Sequence, residues 1–228
     1  MRIEFLIEDK SGSKLIDEIM KKYNEELRQL QLSVIDYNIK SYKGVGGLKK
    51  GKNVENIKSL HLLSELPKRL LALQNQLQWY QDSAVFIVLD NDKRNTELFY
   101  SELNELAEKY NIKIDCVFCI AVEEIEAWLL GDCKAIMEAY PKLKDRIRTK
   151  HANYIQDSIC NTWEYLADIL TPKGINEFKR KNNNVYDIGK KKIEWATEIG
   201  ACMDIRNNNS PSFNRFIEAI DCRAKCSI

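Results

Sequence analysis

The sequence predicts an α/β protein with a mostly parallel central sheet, helices on both of its faces, and a helical C-terminal extension. Three observations carry this. Short apolar runs of strand length alternate with amphipathic stretches of helical period across the first 122 residues. Two of those runs, 84–89 (AVFIVL) and 112–122 (IKIDCVFCIAV), are nearly continuous in apolar residues, as strands buried on both faces are. From Glu124 onward the pattern is helical only.

Taken in chain order, residues 3–8 (IEFLIE) read as a first strand and 13–31 as an amphipathic helix. Residues 32–41 (LSVIDYNIKS) alternate as a second strand, and a Gly- and Lys-rich loop follows from Tyr42 to Asn53. A long helical stretch over 54–81 contains Pro67, which predicts a break or kink there. The strand 84–89, a helix over 95–110 and the strand 112–122 complete the sheet. Parallel pairing with right-handed crossovers suits this order. The later helices are interrupted near Pro141, Pro172 and the polar run Lys179–Asn184. The change of pattern sets a boundary near residue 132, separating residues 1–132 as an α/β domain from 133–228 as a helical extension packed on it.

A chain of 228 residues, 44% apolar and 30% charged, has enough apolar material for a proper core, which argues against intrinsic disorder. The net charge of +1 argues against a generic polyanion binder, but the charge is sorted. Residues 1–132 hold 18 basic and 22 acidic groups, while 133–228 hold 17 and 12. An acidic front and a basic back suit an acidic metal site beside a nucleic-acid surface. No apolar run approaches the roughly 20 residues of a membrane helix. The N-terminus enters a strand pattern directly, without a signal-peptide shape. Seven cysteines, an odd number, read as reduced thiols in a cytoplasm. Two histidines, His61 and His151, rule out a histidine-rich zinc site.

The acidic residues stand at strand ends. Glu8 ends the first strand, Asp90 and Asp92 follow the strand 84–89, and Glu123, Glu124 and Glu126 follow the strand 112–122. Ligands of open parallel sheets bind beyond the carboxyl ends of the strands, so these groups are placed to converge. Converging carboxylates repel unless protons or a divalent cation neutralise them. Mg²⁺ takes a few carboxylates and leaves positions for water and substrate phosphate. A plain alternative exists for each: an Asp after a strand is commonly a turn or N-cap residue.

Ile7-Glu8-Asp9-Lys10-Ser11-Gly12 together with Val88-Leu89-Asp90-Asn91-Asp92 resembles the TOPRIM domain of topoisomerases, primases and old-family (OLD) nucleases. Those proteins carry a Glu at the end of the first strand and a later D-x-D. The segment Val122–Asp132 and Ser210-Pro211-Ser212-Phe213 resemble small bacterial TOPRIM-like proteins often encoded beside an ABC- or AAA-type ATPase in phage-defence loci. One departure is visible: where TOPRIM proteins usually place Gly directly after the Glu, this chain has Asp9, with Gly12 three residues on. The resemblance implies Glu8 as general acid/base or metal ligand and Asp90 and Asp92 as Mg²⁺ ligands, with Mn²⁺ as a substitute. Glu126 would be a further ligand and Glu123 its reserve. It also implies an ATPase partner acting in trans.

Other motifs are weaker. Gly46–Asn53 nearly matches a Walker A loop but ends in Asn53, which offers no hydroxyl to Mg²⁺. Its lysines Lys49, Lys50 and Lys52 would contact substrate phosphates, or simply face solvent. Cys116 and Cys119 resemble half a zinc knuckle, yet an offset of three in a strand points them to opposite faces. Trp128, Leu129 and Leu130 read as core. Lys142, Lys144, Arg146, Arg148 and Lys150 form a basic cluster, and Lys179–Lys181 and Lys190–Lys192 form two more. Each alone reads as a solvated face. On one side together, with Lys10 and Lys93, they would follow a phosphate backbone, and Trp163, Tyr165 and Tyr186 would add stacking. The expected function is a Mg²⁺-dependent nuclease acting on DNA or RNA in the cytoplasm, with no membrane and with a homo-oligomer left open. The alternative is a catalytically silent module that docks an ATPase sensor.

Overall fold

A computed structural model describes residues 1–42, 62–91, 94–158 and 161–226. Four strands, β1 (Arg2–Ile7), β2 (Asp36–Ser41), β3 (Ser83–Asp90) and β4 (Asp115–Ala121), form one sheet in the order β2-β1-β3-β4. All three pairings are parallel, with Ile7 opposite Val88 and Asp90 opposite Ala121. The central strand β3 is buried on both faces, as its unbroken apolar run requires. Ala84, Phe86 and Val88 face one hydrophobic cluster, while Val85, Ile87 and Leu89 face the other. Cys119 and Cys116 divide the same way, so the CxxC spacing spans the sheet and makes no zinc knuckle. Burial pushes both thiols up to about 12, as expected of inert cysteines.

Helix α1 (Lys10–Gln29) starts three residues before the apolar period suggested, because Asp9 caps it. The Asp9 carboxylate accepts from Gly12 N at 2.7 Å and from Ser11 Oγ at 2.6 Å. Gly12 is needed where it stands: a Cβ there would lie 2.8 Å from the Ile7 side chain. Helices α2 (Leu62–Leu77) and α3 (Thr96–Lys109) cover the second face of the sheet. Of the break or kink expected at Pro67, the break is corrected, since α2 continues through it. Burial of Leu62, Leu63, Leu66 and Leu70 offsets the roughly 3 kcal/mol that a proline costs inside a helix. Residues 54–61 of the expected helix lie outside the described residues.

Among the described residues, seven α-helices follow β4: α4 (Glu126–Leu130), α5 (Cys133–Ala139), α6 (Lys144–His151), α7 (Thr162–Leu170), α8 (Ile175–Lys181), α9 (Val185–Cys202) and α10 (Pro211–Cys226). Pro141 opens a short 3₁₀ turn and Pro172 separates α7 from α8, as read. Lys179–Lys181 form the last turn of α8, where cations suit the helix dipole, so the expected interruption begins only at Asn182. This helical segment packs on the sheet and shares its core. One cluster runs from Ile3, Phe5 and Phe86 through Trp128 to Phe213, Phe216 and Ile220. Phe216 of α10 lies over Phe86 and Phe5, with ring centroids 6.0 and 6.3 Å away. No helix among the described residues is long and apolar enough to cross a membrane.

Candidate functional site

In the order β2-β1-β3-β4 the chain leaves β1 toward one edge and returns to β3 on its other side, so the sheet's topological switch point lies between β1 and β3. Glu8 and Asp90 stand at the carboxyl ends of these two adjacent strands. The Glu8 backbone N–H donates to Val88 O at 3.2 Å, and Glu8 Oε2 accepts the Asp90 N–H at 3.0 Å. Strand pairing therefore brings the two acidic residues together although 82 positions separate them.

Asp90 reaches the third strand end as well. Its Oδ1 accepts the Ile125 N–H at 2.9 Å, tying β3 to the turn that carries Glu123, Glu124 and Glu126. That turn is tight: Glu123 has φ 72°, a left-handed conformation uncommon for a residue other than glycine. Burial pushes the Asp90 carboxyl well above the ordinary carboxylate range, and the charge of Glu8 adds to it. Lys192 pulls in the opposite direction, with Asp9 and Glu126 raising it further. Asp92 and Lys93 lie outside the described residues.

Glu126 opens α4 and is fully buried. Neither of its carboxylate oxygens has a hydrogen bond of good geometry among the described residues, and burial pushes its pKa up to about 7. Lys192 works against that shift, with its Nζ 3.1 Å from Glu126 Oε2 and 3.6 Å from Glu124 Oε1. Glu124 also receives the Thr162 hydroxyl and the Trp163 N–H, both at 3.3 Å, at the N-terminus of α7. A carboxylate suits that helix end, whose N-cap Asn161 supplies no side-chain cap.

Lys192 comes from the middle of α9, which lies close along α1 because Gly200 lets the backbone approach Leu15 and Glu18. Burial pulls its pKa down. Glu126, Glu124, Asp90 and Asp9 outweigh burial and raise its pKa above the ordinary lysine value. The sequence reading placed Lys192 in a basic run and missed this role. A usable signal existed: Lys192 precedes the buried Trp195, Ala196 and Ile199 at helical spacing, so it belongs to the inward face of α9. Its neighbours go elsewhere, Lys190 over the Tyr186 ring at 4.3 Å and Lys191 to Glu194 at 2.7 Å.

The carboxylates of Glu8, Asp90 and Glu126 are oxygen donors, the kind that Mg²⁺ and Mn²⁺ prefer, and Glu126, which has no hydrogen bond of good geometry but pairs with Lys192, has lone pairs left to offer. Among the described residues, no three His, Cys, Asp or Glu side chains already stand as a ligand group. Any ion there would have to reckon with Lys192.

The basic residues separate. Lys144 and Arg148 share one face of α6, and Arg146 and Lys150 share another, because a spacing of two turns a helix by about 200°. Arg146 donates to Asp168 O at 2.7 Å and Ile169 O at 3.0 Å, and Lys150 lies 3.0 Å from the Asp168 carboxylate. These two tie α6 to α7. Lys10, Lys142, Lys144 and Arg148 are exposed. Lys49, Lys50 and Lys52, with the loop resembling Walker A, lie outside the described residues. Of the three candidate stacking rings, Tyr165 stacks on Tyr154, Trp163 packs near Phe178, and Tyr186 is exposed.

Trp128 is core, as read, and Ser210-Pro211-Ser212-Phe213 holds it there. The indole N–H donates to Ser212 Oγ at 2.9 Å, and Phe213 lies edge-on to the indole. Ser210 Oγ accepts the Phe213 N–H at 3.2 Å and donates to Asp157 Oδ1 at 2.9 Å, with Pro211 at the first position of α10. No curated protein and no solved structure matches the chain. The model of the domain of unknown function DUF4276 matches residues 7–221, and the chain belongs to that family.

Proposed function

We propose that this protein is a divalent-metal-dependent nuclease, cleaving phosphodiester bonds of DNA or RNA at the carboxylates of Glu8, Asp90, Asp92 and Glu126, with Glu123 as reserve ligand. The observation that carries this reading is the hydrogen bond from Asp90 N to Glu8 Oε2, which couples two acidic residues at the switch point of a parallel sheet. Mg²⁺ or Mn²⁺, when bound, supplies the positive charge that offsets the scissile phosphate. Glu8 is the group to take a proton from the attacking water, held beside β3 by its bond to Asp90 N. Asp90 fixes the turn before α4 through Ile125 N and thereby orients Glu126.

The motifs shared with TOPRIM-like proteins support the same chemistry. They also suggest an ABC- or AAA-type ATPase partner, a role as effector in bacterial anti-phage defence and residence in the cytoplasm. Lys10, Lys142, Lys144 and Arg148 are among the exposed cations that a phosphate backbone would meet. Incubating the purified protein with plasmid, single-stranded DNA and tRNA, in Mg²⁺, Mn²⁺ or EDTA, tests the proposal. Divalent-dependent cleavage, lost by more than 100-fold in both Asp90→Ala and Glu8→Gln, is expected. Unchanged cleavage by Asp90→Ala would refute the site.

One observation favours a second reading. Lys192 already faces Glu126 and Glu124, so part of the cluster's charge is balanced by the chain itself. A catalytically silent scaffold that docks an ATPase sensor needs no more than that. Cleavage absent with every substrate and metal, together with specific binding of an ABC- or AAA-type ATPase, would establish it.

A further inference from the structure

A carboxylate removed from water needs a cation or a proton. Glu126 is fully buried and lacks a well-formed hydrogen bond, and Lys192 Nζ lies 3.1 Å from it. The same ammonium stands 3.6 Å from Glu124 Oε1. Asp90 and Asp9 lie within reach of its field. The lysine side chain is itself nearly enclosed, with 15% of its surface exposed. It reaches the cluster from α9, more than 60 residues beyond Glu126, so the pairing belongs to the tertiary fold and not to a local helix contact. Lys190 and Lys191 have partners elsewhere and leave Lys192 as the member of its run aimed inward.

We infer that Lys192 is the built-in counter-ion of the strand-end carboxylates, a positioning residue that holds Glu126 in place, and that an entering divalent cation competes with it. Two like charges contesting one carboxylate repel, so a metal ion shifts the ammonium or binds less tightly than the bare carboxylates would allow. The competition rests on the metal-site reading above, whereas the counter-ion role needs only the pairing of Lys192 with Glu126.

The test is a melting cycle on the full chain at pH 8, with wild type, Lys192→Met, Glu126→Gln and the double variant, joined to Mn²⁺ titration by calorimetry. Lys192→Met should lower Tm by roughly 5 °C or more, since it leaves the buried Glu126 without its cation, whereas Glu126→Gln should cost less, because Lys192 keeps Glu124. The double variant should regain much of that loss. Lys192→Arg, which keeps the charge, should remain close to wild type in Tm and covers the case in which Lys192→Met fails to fold. Lys192→Met should bind Mn²⁺ at least tenfold more tightly than wild type. Additive losses in the cycle, or a Lys192→Met chain as stable as wild type, would overturn the counter-ion. Mn²⁺ affinity unchanged or weakened by Lys192→Met would overturn the competition. A coupled cycle with no Mn²⁺ bound by either protein would support the counter-ion and sink the metal-dependent nuclease, so the two failures are told apart.

Discussion

At the scale of single residues, Glu126 carries a pH signature whose sign is fixed by its burial. Its pKa lies near 7 in the folded protein, against an ordinary glutamate value of 4.5. The folded chain therefore holds this proton more tightly than the unfolded chain. The resulting stability is fully present below about pH 4.5 and drains away as pH rises toward 7. Asp90 shifts in the same direction. Urea melts from pH 4.5 to 8 should show a decline across that window, flattened in Glu126→Gln; an equal slope in the variant would contradict the assignment. A second prediction concerns Gly131, where a Cβ would come within 1.9 Å of Asn208 Oδ1. Asn208 donates from its amide to Trp128 O at 2.9 Å and cannot move without losing that bond. Gly131→Ala should cost about 1–3 kcal/mol in a urea melt. Glu8 and Asp90 were legible in the sequence because strand ends announce themselves by the stop of an apolar run. Lys192 was not, because three consecutive lysines look alike until the helix phase assigns each a direction.

The elements were legible to the extent that their own periodicity carried them. β3 and β4 followed from apolar runs and α3 from its phase, while its cap Asn95, whose side chain accepts Leu98 N at 3.0 Å, is seen only in the structure. α1 began earlier than its apolar stripe, because capping by Asp9 is a polar decision made outside that stripe. The break expected at Pro67 failed for a related reason: a local penalty was read without the leucines that outweigh it. The basic spacing in 142–150 suggested one surface, yet the α6 helix turns alternate cations to different sides and hands two of them to Asp168. The entry into α10 supports a test at this scale. Ser212→Ala leaves the buried Trp128 N–H without its acceptor and should cost about 1–3 kcal/mol, with Trp128 fluorescence reporting the loosened packing. Wild-type stability in Ser212→Ala would mean the indole has found another acceptor.

Across the whole molecule, the boundary near residue 132 marks where the pattern of the sequence changes, while the core continues past it. Phe5 and Phe86 of the sheet meet Phe216, and Trp128 meets Phe213 and Phe216 with centroids 5.5 and 5.0 Å away. A chain ended at Asp132 would strip Phe213, Phe216 and Ile220 from that sheet face and leave its cover to α1 and α4. Such a fragment should show no cooperative thermal transition and should bind a hydrophobic dye, whereas the full chain should unfold cooperatively. Sequence periodicity gave the layers of this architecture but not the long-range contacts, because the faces of α9 and α10 meet partners that lie up to 211 positions away.

The origin of Lys192 in α9 has a consequence for the order of synthesis. A ribosome delivers Glu8, Asp90 and Glu126 first, and the ammonium that faces Glu126 some 66 positions after it. At bacterial or eukaryotic elongation rates that gap lasts on the order of several seconds. During it the nascent sheet carries its acidic ends without their internal cation and without the aromatic cover from α10. The assembled site is therefore a product of the finished chain, and a polypeptide abandoned partway through translation holds the acidic residues without the lysine that completes them.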